Sequence, residues 1–333
     1  MTTRHQNALN FVARLLSEEG EQAVIADGWP ASMVRAGFQL HRKTWDVEAI
    51  VEEISREGVP SSRLPHSVAH LWPALPGAGI TPLLYSYLAG IPDVRFKPSR
   101  RGLHFGDFVD SLKIPELHSG PYESAEVVVV SGANETIAAI QDQILGRVVG
   151  YGHKVSFSIT DADSDPAAHA RDVVMWRQQG CFSLRGIVFV GTAQESREFC
   201  TSLARQIDHY QDVWDLEFTD QDLQQRAQAL GVAEFSAEVF LAGNGFVELG
   251  HSPLDGIWRA PLAVQVKQVG SDQEVRSAVN IPRPHVQGIS TNLDIDPLAS
   301  ELGATRVCKP GDLQAPEADW HHDGFPNIGI LLD

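Results

Sequence analysis

The sequence predicts an α/β chain. Apolar, β-branched runs alternate with segments of helical period along most of its length, and Gly, Pro, Ser and Asp fall between them as turn signals. One segment, "EVVVVSGANETIAAIQDQILGRVV" from Glu126 to Val149, shows a whole unit at once. Its four valines run into Ser131-Gly132, and Ile137, Ile140, Ile144 and Val148 then recur at helical spacing, which reads as strand, tight turn and helix.

The other elements follow in order. Residues 1–62 read as helix and turn, with "VEAIVEEISREG" the clearest amphipathic helix because Val47, Ile50, Val51 and Ile54 share one face. "LPHSVAHLWPALPGAGITPLLYSYLAG" reads as a buried strand, a Pro/Gly loop and a packed helix. "DVRFKPSRRG" is a short strand ending in cations, and "HFGDFVDSLK" is helical. After the strand in "GHKVSFSI", Asp165 and Pro166 stand where an N-cap and a first helical residue belong, opening a helix expected to stop at Gly180. The strand "GIVFV", the helix "SREFCTSLARQI" and a polar helical region to Leu230 come next. "APLAVQVKQVGSDQEVRSAVN" then reads as strand and helix, and two short strands flank "DPLASELG".

The length of 333 residues suits two domains or one large α/β unit. A net charge of -17 argues against a nucleic-acid partner, because phosphate binding draws on Lys and Arg. No apolar run approaches the roughly 20 residues of a membrane span, and "MTTRHQNALN" lacks the apolar core of a signal peptide, so a cytoplasmic protein is expected. The 3 cysteines, Cys181, Cys200 and Cys308, form no CxxC pair, which argues against disulfides and structural zinc. The adjacent histidines of "WHHDG" (Trp320 to Gly324) lack a third spaced ligand, so no metal is expected.

Four places carry candidate chemistry. Cys181, between Gly180 and Ser183's turn, is either a buried small residue or a nucleophile. Ser131 to Glu135 are either an N-capped helix start or a place where small residues let a dinucleotide phosphate approach. Lys97, Arg100 and Arg101 are either a solvated basic turn or contacts to a ribose and its 2'-phosphate. His153, beside Lys154, is either a strand-end histidine or a proton relay.

The order of these motifs resembles the aldehyde dehydrogenase superfamily, and within it the acyl-CoA reductase (LuxC) family. "ALPGAGITPLLYSYLAG" followed by "VRFKPS" looks like the loop, helix and Lys-Pro-Ser cofactor motif, with Lys97 and Ser99 in the matching places. "VVVVSGANETI" looks like the strand and turn beneath the dinucleotide, which implies Ser131, Gly132, Asn134 and Glu135 near the cofactor. "WRQQGCFSLRGIVFV" resembles the active-site cysteine motif, with Asp172, Trp176, Gln179, Cys181 and Ser183 matching. Ala74 stands where the superfamily has an oxyanion-hole asparagine, and its general-base glutamate is replaced in "GYGHKVSF". Aldehyde oxidation to an acid needs a base that activates water, whereas thioester reduction does not, so the replaced glutamate favours reduction.

The resemblance implies an aldehyde dehydrogenase-like fold, with a Rossmann-type cofactor domain and an α/β catalytic domain. It sets four expected regions: an N-terminal helical region at 1–62, an NAD(P)-binding domain at 63–160, a catalytic domain at 161–316 and a C-terminal tail at 317–333. That tail ends in apolar "IGILLD" and is expected to join subunits of a homo-oligomer. The implied activity is reduction of an acyl thioester, borne by coenzyme A or a carrier protein, to an aldehyde with NADPH or NADH. Cys181 is then the nucleophile and His153 the proton relay. Two rivals stand beside it. One is an aldehyde or semialdehyde dehydrogenase with Glu234 or Glu238 as base; the other is a non-catalytic partner subunit.

Overall fold

The computed structural model describes residues 2–332. The chain divides into two compact units, Met1–His153 with Ala315–Asp333, and Lys154–Gln314. Among the described residues no helix is long and apolar enough to cross a membrane.

The first unit opens with four helices, α1 (Thr3–Leu15), α2 (Glu18–Ala26), α3 (Ala31–Thr44) and α4 (Val47–Glu57). Helix α4 forms where expected: the Asp46 carboxylate accepts from the N–H groups of Glu48 and Ala49, and Gly58 ends the helix at φ 60. Strand β1 (Ser67–Leu71), α5 (Ile80–Ala89), β2 (Asp93–Lys97), α6 (Leu103–Ser111), β3 (Leu117–Ser119), β4 (Val127–Ser131), α7 (Asn134–Gln141) and β5 (Arg147–Tyr151) follow. The strands make a parallel sheet in the order β3-β2-β1-β4-β5. Covering both faces explains the four valines of β4. Val127 and Val129 pack with Phe11, Trp45 and Ile50, while Val128 and Val130 pack with Tyr122, Ile137 and Ile140.

The helix expected to run on through Ile144 and Val148 instead ends at Gln141, and Val148 lies in β5. Both side chains still join the same apolar cluster, so their spacing mimicked a helix. The chain cannot continue straight. At Gly146 it passes so close to β4's entry that a Cβ would sit 2.4 Å from the Ala125 carbonyl oxygen.

The C-terminal segment returns to this unit. Ala318, Ile328 and Leu331 are buried in the core of α1, α4 and α5, and Tyr85 Oη donates to the Ala318 carbonyl at 3.0 Å. The Glu57 carboxylate accepts from the backbone N–H groups of Asn327, Ile328 and Gly329 at 2.6, 2.8 and 2.8 Å. Regions 1–62 and 317–333 are therefore parts of one unit rather than separate pieces. The apolar end is covered by its own chain, which removes the physical reason for placing a subunit contact there.

The second unit contains β6 (Val155–Thr160), α8 (Pro166–Val174), β7 (Leu184–Val190), α9 (Ala193–Val213), α10 (Asp220–Ala233), β8 (Ala237–Ala242), β9 (Gly245–Gly250), β10 (Ala263–Val269), β11 (Val286–Thr291), α11 (Asp296–Leu302) and β12 (Arg306–Cys308). Its sheet runs β12-β11-β6-β7-β10-β9-β8, parallel except for the β8–β9 hairpin at one edge. Every residue of β6 is buried between β11 and β7. That places 154–160 in this unit, so the expected boundary at 160 moves back to 153/154. Helix α8 begins at Pro166 with the Asp165 carboxylate accepting from Ala167 N–H, but it stops at Val174, well before Gly180. The segment expected as a helix over "SDQEVRSA" is a run of 3-10 turns, Asp272–Ala278.

Candidate active site

The turn that carries Cys181 is built by an unusual backbone path. After α8, Trp176, Arg177 and Gln178 take left-handed conformations at φ 53, 54 and 59. Such a conformation costs an L-residue about 1–2 kcal/mol, and residues hold it only where surroundings over-determine it. Here Trp176 is fully buried, and the Gln178 amide donates to the carbonyls of Leu184 at 2.8 Å and Ala263 at 3.0 Å. The path then closes into a β-turn from Gly180 to Ser183, with Ser183 N–H donating to the Gly180 carbonyl at 3.1 Å. Cys181 occupies its second position.

Three side chains fix that turn. Ser183 Oγ accepts from Gly180 N–H at 3.1 Å. The Gln314 amide donates to Ser183 Oγ at 3.1 Å and to the Asp172 carbonyl at 3.4 Å. Ser156 Oγ donates to the Cys181 carbonyl at 2.8 Å and accepts from Gly288 N–H at 3.1 Å. The buried Asp172 carboxyl accepts from Gly311 N–H at 2.7 Å and so anchors the loop that ends in Gln314. Burial pushes that carboxyl up to about 7, against the lowering pull of the Gly311 hydrogen bond and the Arg171 charge.

The three cysteines differ in environment. Cys200 is fully buried, and burial pushes its thiol up to about 12, which leaves it inert at neutral pH. Cys181 is half-buried at the N-terminal end of β7. The Arg185 guanidinium, on β7, is pushed down mainly by its own burial and pushed up by the charge of Cys181, so a partly desolvated cation acts on this thiol.

In the first unit, the expected cofactor residues gather at one edge. Lys97 ends β2, Ser131 ends β4, and Ser99, Gly132, Asn134 and Glu135 lie just beyond. This is the carboxyl edge of the parallel sheet, and the strand order reverses between β1 and β4, the place where open α/β sheets bind ligands. Helix α7 starts there without a side-chain cap. A Cβ on Gly132 would meet nothing closer than Thr136 at 4.0 Å, so the chain itself does not fill the space above it. Ser99 Oγ is buried without a hydrogen-bond partner. Lys97 Nζ lies 4.7 Å from the centre of the Tyr122 ring, and Arg100 and Arg101 are exposed. An orphaned hydroxyl, an uncapped helix start and an open glycine suit a dinucleotide.

Other expectations resolve differently. His153 is exposed at the end of the first unit, with its N–H donating to Asn134 Oδ1 at 3.3 Å, whereas Cys181 belongs to the second unit. Glu238 is exposed on β8 and pairs with Arg197 at 2.7 Å. Strand β8 is three strands from β7, about 14 Å by sheet spacing, and Glu234 is exposed at the end of α10. Glu238 therefore stands three strands from the strand that follows Cys181. In "WHHDG", His322 stacks on Tyr151 at 3.7 Å, and His321 donates to the buried Glu53 at 2.8 Å. Glu53, Glu57 and His321 lie close enough together to hold an ion, but Glu57 is already committed to three backbone N–H groups. A cavity of about 520 Å³ between α10 and the β8–β9 hairpin includes Glu248 and Arg259 and none of the turn 180–183.

Sequence reading missed Gln178, Ser156, Arg185 and Gln314. Gln179, the glutamine matched to the cysteine motif, is exposed, and its neighbour Gln178 makes the buried contacts. Nothing in two adjacent glutamines distinguishes them.

The family model described as acyl-CoA reductase (LuxC) matches residues 115–332. The chain belongs to the LuxC family. It is therefore a member of an oxidoreductase family, and the matched stretch contains Cys181 and Gly132 but begins after Lys97 and Ser99. No curated protein sequence matches the chain. Solved structures of aldehyde dehydrogenases share its fold. A salicylaldehyde dehydrogenase from Pseudomonas putida G7 superposes with a TM-score of 0.67 at 14% identity, covering 99% of this chain and 84% of that one. An NAD-dependent benzaldehyde dehydrogenase from Corynebacterium glutamicum gives 0.66 at 16%, covering 97% and 84%. An oxidoreductase from Marinobacter aquaeolei gives 0.68 at 13%, covering 93% and 78%. The aldehyde dehydrogenase-like fold expected for this LuxC-family chain is thus the one found.

Proposed function

We propose that this LuxC-family protein reduces an acyl thioester, carried by coenzyme A or a carrier protein, to an aldehyde with NADPH or NADH. The observation that carries the reading is the Cys181 turn. A half-buried thiol is presented at a strand entry on a backbone held in a conformation that costs energy.

The chain's own groups have defined parts. Cys181 Sγ, as thiolate, attacks the thioester carbonyl; the bond to the carrier sulfur breaks, and that thiol leaves with one proton. NADPH or NADH, when bound, supplies the hydride that reduces the acyl group. Cys181 then departs as thiolate from the thiohemiacetal and the aldehyde is released. Lys97 and Ser99 would hold the adenosine side of the dinucleotide, and Ser131, Gly132, Asn134 and Glu135 the part over α7. The departing thiol takes its proton from solvent. Arg185 favours the thiolate of Cys181.

Reduction is favoured over oxidation because the general-base glutamate of the superfamily is replaced in "GYGHKVSF" and Glu238 stands on a strand about 14 Å of sheet from β7, paired with Arg197. Incubation with NADPH or NADH and a series of acyl-CoA esters, read as loss of reduced cofactor and appearance of trapped aldehyde, tests the reading. Turnover in the thioester direction supports it. Turnover of aldehyde to free acid, with none of thioester, overturns it.

A further inference from the structure

We infer that Ser156 and Gln314 are positioning residues for Cys181, an inference that rests on the thiol acting as proposed. The turn Gly180–Ser183 is only four residues long, and the direction of its Cys181 side chain depends on the orientation of the flanking peptides. One of those peptides is held by the 2.8 Å bond from Ser156 Oγ to the Cys181 carbonyl. The other side of the turn is held at Ser183 Oγ, which accepts from Gly180 N–H and from the Gln314 amide, each at 3.1 Å.

Both holding residues are themselves rigid. Ser156 is fully buried on β6 and locked by Gly288 N–H from β11 at 3.1 Å, so its hydroxyl has one acceptor to serve. Gln314 is buried at the end of a loop fixed three ways. Gly311 N–H donates to Asp172, the Arg171 guanidinium donates to the Gly311 carbonyl, and Arg306 donates to the carbonyls of Asp312 at 2.9 Å and Leu313 at 3.2 Å. Each residue also ties the turn to a neighbouring element, Ser156 to β11 through Gly288 N–H and Gln314 to the end of α8 through the Asp172 carbonyl. Reaction rates respond steeply to placement, a displacement of about 1 Å costing as much as ~100-fold.

Ser156→Ala and Gln314→Met are therefore expected to fold, by circular dichroism and thermal melting, and to lower the rate of Cys181 acylation by acyl-CoA at least about tenfold. Alkylation of Cys181 by iodoacetamide is expected to stay within about twofold of the unaltered protein, because a small reagent needs an accessible thiol rather than an aligned one. Local melting of the turn would raise alkylation instead, and a parallel rise in both variants overturns the inference. So does acylation at the normal rate in both. Absence of acylation on Cys181 in the unaltered protein rejects the functional reading itself, and the inference with it.

Discussion

The Ser156 hydroxyl donates to the Cys181 carbonyl at 2.8 Å, tying a buried strand to the turn that bears the thiol. Ser156 stands beside the crossing into the second unit at 153/154, and Gln314 at the crossing out of it, at 314/315. The turn is thus held from two parts of the second unit that are far apart in sequence.

Gly132 offers a direct test of the cofactor edge. Its Cβ-to-be meets only Thr136 at 4.0 Å, so Gly132→Ala should leave folding intact. A methyl group in the space assigned to the dinucleotide should weaken cofactor binding about tenfold, or ~1.4 kcal/mol. Fluorescence titration with NADPH and NADH measures this, and unchanged affinity for both removes Gly132 from the site.

Lys97→Ala should raise KM for the cofactor and leave KM for the thioester unchanged, because Lys97 ends β2 at the same edge. Equal changes in both constants, in steady-state kinetics, would reject that assignment.

Asp172 gives a pH signature. Its folded carboxyl titrates at about 7 rather than near the ordinary carboxylate value, so between pH 4 and 7 the folded chain keeps a proton that the unfolded chain releases. Stability from this group is therefore present at low pH and lost as pH rises towards 7. Asp172→Asn, which cannot ionise, should gain on the unaltered protein by about 3 kcal/mol between pH 5 and pH 8. Urea unfolding at both pH values measures the gap. A constant difference would mean that the carboxyl is not held in this way.

Glu57→Ala would leave the N–H groups of Asn327, Ile328 and Gly329 without their carboxylate. The expected loss is about 2–4 kcal/mol by urea unfolding, since hydrogen bonds to a charged group are worth about 1.5–3 kcal/mol each and water recovers part of the loss. A loss under about 0.5 kcal/mol would show that the C-terminal segment is not docked through Glu57.

The α/β class was legible because hydrophobic period is a local property, and β4, α4, α8's start and β7 each carry their own signal. Membership of a sheet is not local. Val155–Thr160 reads as a strand in isolation, and nothing in "VSFSIT" says that it pairs with β11 and β7 instead of with β5. Val148 illustrates the same limit, since a strand residue behind a short helix can keep the helix's spacing. The motif points to Cys181 as the candidate nucleophile. Its supports were not legible, because Ser156 and Gln314 are far from it in sequence and are brought to it only by the fold. The left-handed run at Trp176 to Gln178 carries no glycine to announce it.

The most direct measurement is mass spectrometry of the protein after incubation with acyl-CoA in the absence of cofactor. One acyl mass should appear on the peptide containing Cys181, addition of NADPH or NADH should discharge it as aldehyde, and Cys181→Ser should abolish both steps while retaining the fold. Acylation of Cys200 or Cys308 instead, or normal turnover by Cys181→Ser, would contradict the assignment of the nucleophile. No acylation of any cysteine under any condition would leave the non-catalytic partner subunit as the reading to pursue.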